Sequence, residues 1–115
     1  MKKKPRFYFC ETLKENFWFF IGWNEVDVIK YLRNYFSLIG VSLENRAGIT
    51  IDFGKAKVIY INKNQRKVKL YAVLAHECVH AANMAFASRN ITPANDELLA
   101  YYVEVLMIKA LDNGN

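Results

Sequence analysis

The chain's only two histidines stand four residues apart in His76-Glu77-Cys78-Val79-His80, and this spacing calls for a helix. Residues four apart on a helix lie about 40° apart around its axis, so both imidazoles leave one face and can reach one ion. Glu77 is one step further round. It is poorly placed to complete the same chelate and well placed to reach a water held beside it. On the opposite side, Ala75, Cys78, Val79, Ala82, Ala85 and Phe86 form a small apolar face. The segment therefore reads as a helix with a core side and a His/Glu side.

The rest of the chain can be read outward from that helix. Arg6–Cys10 and the aromatic run Phe17–Ile21 carry the strand signal of aromatic and β-branched residues bounded by polar ones. Asn24 with Asp27 three residues later resembles a capping box, opening a helix whose apolar face is Val28, Ile29, Leu32, Tyr35 and Phe36. Gly40 is its expected stop. Gly48–Phe53 and Lys57–Asn62 flank Gly54-Lys55-Ala56 and predict a β-hairpin. Asn62–Lys67 is a polar loop, and helical composition runs from about Leu70 to Phe86. A last helix is expected from Thr92, with Pro93 in its first position, to about Leu111. The layout predicts a single α+β domain over 1–115: a small, mainly antiparallel sheet with an N-terminal helix, then the HExxH helix and a C-terminal helix. Residues 1–6 read as a basic tail and 112–115 as a frayed end.

Composition narrows the class. With 53% apolar and 15% aromatic residues, core material is ample and disorder is excluded. The net charge of +5 gathers in the basic tail and at Lys63, Arg66, Lys67 and Lys69. No nucleic-acid motif accompanies these groups, so they read as a solvated tail and a charged turn. No apolar run approaches the ~20 residues of a membrane helix. Two cysteines, Cys10 and Cys78, do not make a disulfide scaffold and point to the cytoplasm.

His-Glu-x-x-His on a helix is the pattern of a hydrolytic zinc site, with histidines as ligands and the glutamate as general base. One Zn²⁺ would lower the pKa of its water to about 7, and Glu77 would take the proton as that water attacks a carbonyl. Such a zinc takes three protein ligands and keeps one position open. With no third histidine, the remaining ligand is a carboxylate or a thiolate. Cys78 faces the core. Cys10, on a presumed strand far off in sequence, stays as an alternative. Of Asp96, Glu97, Glu104 and Asp112, Glu97 is favoured: it lies in the first turns of the next helix, and Ala100 allows close packing there. Asp96 reads as a helix-start acid. Glu104, two turns beyond Glu97, either bonds a ligand histidine or is solvated.

HExxH followed by Asn95-Asp96-Glu97-x-x-Ala100 resembles the gluzincin metallopeptidases, in particular minimal single-domain members and small bacteriophage-encoded zincins. The resemblance spans roughly residues 70–111. It implies Glu97 as third ligand, a zincin-like fold, and a strand lining the cleft, which would be Val58–Ile61. It implies that an extended peptide pairs with that strand. Where larger gluzincins have an aspartate supporting the first histidine, this chain has Tyr101; Glu104 or Asp52 would have to substitute. The oxyanion-stabilising group would be a tyrosine among Tyr60, Tyr71, Tyr101 and Tyr102.

These readings lead to a zinc-dependent peptidase acting on a peptide or protein in the cytoplasm, a host cytoplasm if the chain is phage-encoded. The alternative is a non-catalytic binding or inhibitory protein on the same scaffold, acting on a host or partner protein. Phe17–Trp23 would be a core strand or a partner interface.

Overall fold

The computed structural model describes residues 4–38, 40, 42–93 and 96–112. Strands β1 (Arg6–Cys10) and β2 (Glu15–Ile21) form an antiparallel pair. Helix α1 (Glu25–Phe36) follows, then strands β3 (Gly48–Asp52) and β4 (Ala56–Ile61), then α2 (Lys67–Ser88) and α3 (Asp96–Leu111). The fold is a small α+β domain with a four-stranded sheet in the order β1-β2-β4-β3. Among the described residues, no helix is long and apolar enough to cross a membrane.

The sheet is mixed. Its two hairpins are antiparallel, as expected, but β2 and β4 are parallel neighbours, with Phe17 opposite Lys57 and Ile21 opposite Ile61. Parallel strands need a long crossover, which α1 provides. The helix starts where Asn24 accepts the Asp27 amide at 2.9 Å. It ends earlier than Gly40. Ser37 takes the left-handed conformation at φ 54°, and the Leu38 amide closes the turn on Leu32 O at 3.2 Å.

Alternation along the strands feeds two cores. Phe20, Val58 and Tyr60 meet Trp23, Val28 and Leu32 on the α1 face. Phe17, Phe19, Ile59 and Ile61 meet Leu74, Cys78, Ala81 and Phe86 on the α2 face. Covered on both sides, β4 is buried along its whole length. Phe17, Phe19, Phe20 and Trp23 are at most 5% exposed and build the core, whereas Trp18 and Ile21 of the same run are half-buried.

Boundaries shift at both helical ends. Residues 67–69 already belong to α2. Asn90, at φ 56°, turns the chain out of α2, and the Ile91 amide returns to Phe86 O at 2.8 Å. Thr92 and Pro93 are therefore spent on the turn, and α3 opens on Asp96 and Glu97, acids that suit the positive end of a helix. The basic tail is shorter than expected. Pro5 is buried and Arg6 begins β1, its guanidinium donating to Ala110 O. Met1–Lys3 and residues 113–115 lie outside the described residues, whereas the Asp112 amide still bonds Ile108 O at 2.9 Å.

Candidate metal centre

In α2, His76 and His80 project from one exposed face with their Nε2 atoms 3.1 Å apart and their rings nearly perpendicular, at 81°. Two nitrogens bound at about 2.0–2.1 Å to one tetrahedral zinc lie about 3.3 Å apart. The pair therefore fits as two ligands of one ion. At this distance two neutral imidazoles that both present lone pairs repel each other, so the arrangement needs either a shared proton or a cation between them.

Glu77 points the other way round the helix, into the gap between α2 and the edge strand β3, and is only 7% exposed. Thr50 Oγ1 lies 2.9 Å from Glu77 Oε1 and 2.9 Å from Glu77 O. A hydroxyl has one proton, so it donates to only one of these two acceptors at a time. β3 comes this close because residue 48 is glycine: a Cβ there would stand 2.7 Å from Val73 Cγ1 and 3.0 Å from Tyr60 O.

The result is a cleft of about 400 Å³ between β3 and α2, in which Thr50, His76, Glu77 and His80 meet Arg46 and Met84. Its strand is β3, which among the described residues pairs only with β4 and so keeps a free edge. The expected cleft strand, Val58–Ile61, lies in the sheet interior between β2 and β3 and has no free edge. A larger depression of about 630 Å³ lies beside α1, lined by Glu25, Ile29 and Arg33, and gathers no histidine or cysteine.

The remaining site candidates are distributed as follows. Among the described residues, no group of three or more His, Cys, Asp and Glu is placed to hold a metal, so Glu97 does not join the histidine pair in such a group. It is exposed in the first turn of α3. Asp96 and Glu104 line an apolar groove of about 610 Å³ between α3 and α2, beside Val79. Asn95 lies outside the described residues. Burial, then the neighbouring Glu77 charge, pushes the Cys78 thiol up to about 12, which keeps it protonated in the core. Cys10 is buried as well.

Asp52 does not back a histidine. Its carboxylate accepts from Lys57 Nζ at 3.0 Å and from the Gly54 amide at 2.7 Å. The tyrosines lie elsewhere too. Tyr60 is buried on the α1 face, across the sheet from the histidines. Tyr102 OH bonds Thr12 Oγ1 at 2.7 Å, and the Tyr101 ring packs on Tyr102. Tyr71 lies under Lys67 Nζ, 5.9 Å from its ring centre. None of the four lines the cleft. Sequence reasoning missed Thr50 and Arg46. Thr50 was legible as an inward position in the alternating Gly48-Ile49-Thr50-Ile51-Asp52; Arg46 carried no pattern.

Compared with protein-family models, with curated proteins and with solved structures, the chain matches none.

Proposed function

We propose that the protein is a zinc-dependent hydrolase of peptide bonds, of the minimal gluzincin type that its motif resembles. The observation that carries this reading is the convergence of His76 and His80 at 3.1 Å with Glu77 in one cleft beside a free strand edge. His76 and His80 would hold one Zn²⁺, and Glu97 from α3 is the proposed third ligand. When bound, the ion would supply Lewis acidity to a water and to the substrate carbonyl. Glu77 takes a proton from the attacking water and delivers it to the leaving amine. Thr50 keeps the carboxylate turned into the cleft. β3 offers main-chain groups along which an extended substrate can lie. The two unpaired, buried cysteines support placing this activity in the cytoplasm.

The test combines metal analysis and hydrolysis. Wild type is expected to retain one zinc per chain, and His76→Ala, His80→Ala and Glu97→Ala to lose it. Undiminished zinc affinity in Glu97→Ala would move the third ligand elsewhere, with Asp96 and Glu104 on the groove beside Val79 the next acids to test. A mixture of unfolded proteins incubated with wild type should yield new termini that Glu77→Gln does not produce. The alternative is a non-catalytic binding or inhibitory protein on the same scaffold. That alternative holds if Glu77→Gln preserves the biological effect.

A further inference from the structure

The cleft does not end at the histidines. It continues past Gly48 and Val73 into a second arm of about 470 Å³, which shares His76 and Glu77 with the first. Arg46 lines both arms, and Lys69 lines the outer one. The segment carrying Arg46 is held in place: Asn62 Nδ2 donates to Arg46 O at 3.3 Å and Gln65 Nε2 to Ala47 O at 2.9 Å. Arg46 itself spends its Nε on Ser42 O at 3.2 Å. Among the described residues, neither its terminal nitrogens nor the Lys69 ammonium forms an ion pair or a hydrogen bond. Among those residues, too, Glu77 is the only acid along either arm. One end of the cleft thus presents two unpaired cations.

We infer that this arm selects substrates by a carboxylate, and that Arg46 and Lys69 are the residues that read it. The inference rests on the peptidase reading of the same cleft. Lys69 stands seven residues before His76, about 10 Å along the helix. An extended chain advances about 3.3 Å per residue, so the carboxylate belongs roughly three residues from the bond aligned with the histidines. Arg46 can take a carboxylate through paired N–H groups, and Lys69 adds a point charge. The carboxylate can come from an Asp or Glu side chain or from a free C-terminus; both offer the same chemistry. A peptide is favoured over a nucleic acid because the arm meets β3 at Gly48, where the free edge that can pair with main chain begins.

The experiment measures binding separately from cleavage. Glu77→Gln protein is titrated by fluorescence anisotropy with labelled eight-residue peptides of Ala and Val. The peptides carry Glu, Gln or Lys near one end, each with a free or an amidated C-terminus. The Glu peptide, or the free-carboxylate form, should bind at least about tenfold more tightly than its neutral counterpart, and the preference should weaken with salt. Which of the two carries the preference identifies the source of the carboxylate. In the Glu77→Gln background, Arg46→Gln/Lys69→Gln should abolish the preference and Arg46→Glu/Lys69→Glu should reverse it towards Lys. Circular dichroism confirms folding, and the neutral pair serves if the reversed pair misfolds. Equal binding of the Glu, Gln and Lys peptides together with equal binding of the free and amidated forms overturns the inference, as does tighter binding of a labelled oligonucleotide. If the preference and its reversal hold but wild type cleaves none of these peptides, the peptidase reading falls and the carboxylate-selective arm stands.

Discussion

Two polar clusters hang from the same face of β3, two residues apart, and they are built on opposite plans. At Asp52, opposite Lys57 in the register, the charges are closed on one another. Lys57 Nζ sits 3.0 Å from Glu15 Oε2, 3.0 Å from Asp52 Oδ1 and 2.9 Å from Gly54 O, and both Lys57 and Glu15 are fully buried. At Thr50, opposite Ile59, the cluster is open. Glu77 is met by a hydroxyl and the two imidazole nitrogens by each other, and the group faces a cleft. The first cluster holds its own cation; the second is a set of acceptors that suits one. A carboxylate between two elements is neutralised by a buried charge in one place and meets only a hydroxyl beside a cleft in the other.

The largest expected effect tests the closed cluster. Lys57→Met leaves the Glu15 carboxylate buried without its counter-charge, which costs about 3–5 kcal/mol. Urea unfolding should show that loss, and Glu15→Gln/Lys57→Met should recover much of it. A loss below about 1 kcal/mol would mean that water already reaches the cluster, and the contrast would collapse. Next comes the open cluster. Glu77→Gln keeps the shape and can still accept from Thr50, so folding and zinc content should hold. Hydrolysis should fall by about 10²–10⁴. Stability lost in step with activity would make Glu77 a scaffold residue like Glu15.

A subtler change sharpens the comparison. Thr50→Val removes the hydroxyl at nearly constant volume, which should cost about 1 kcal/mol of stability and about tenfold in kcat, with KM little changed. Thr50→Ser should restore both. If only stability moves, the hydroxyl serves the helix–strand contact through Glu77 O and does not position the carboxylate.

Much of this was legible in local pattern. The capping box at Asn24, the hairpin around Gly54 and the strand at 6–10 each depend on residues a few positions apart. The histidine pair was legible for the same reason. What failed depended on distant partners. The family resemblance points to Val58–Ile61 as the cleft strand, yet a continuous apolar run is what a strand covered on both faces looks like, and the alternating Gly48–Asp52 is the edge. The parallel β2–β4 pairing leaves no trace in either strand alone. Likewise the start of α3 is set by the turn at Asn90, not by Pro93. The facing of two histidines on one helix is a local matter, whereas where Glu97 stands depends on how α3 packs on α2. A charged Lys57 within an apolar run was itself a signal for a buried partner.

The smallest effect is in the pH dependence of the closed cluster. Burial pushes the Asp52 carboxyl up, but the Gly54 amide and Lys57 together outweigh it and hold the group below its ordinary value of 3.8. A carboxylate whose pKa is depressed by folding stabilises the native state fully above its unfolded pKa. That contribution disappears as pH falls through the lower folded value, so the window lies below about pH 4. Asp52 is 42% exposed, and solvent screening keeps its share under about 1 kcal/mol. Asp52→Asn should therefore be slightly less stable than wild type at pH 6, with the gap closing as the pH is taken down towards 3. Repeated in the Lys57→Met background, the titration should show a smaller gap between the chain that keeps Asp52 and the one carrying Asp52→Asn, because one of the two groups that depress the carboxyl is gone and only the Gly54 amide remains. A gap that persists unchanged at low pH would mean that the Asp52–Gly54 turn, rather than the ion pair, accounts for the difference, and Asp52 would then belong to the hairpin and not to the closed cluster.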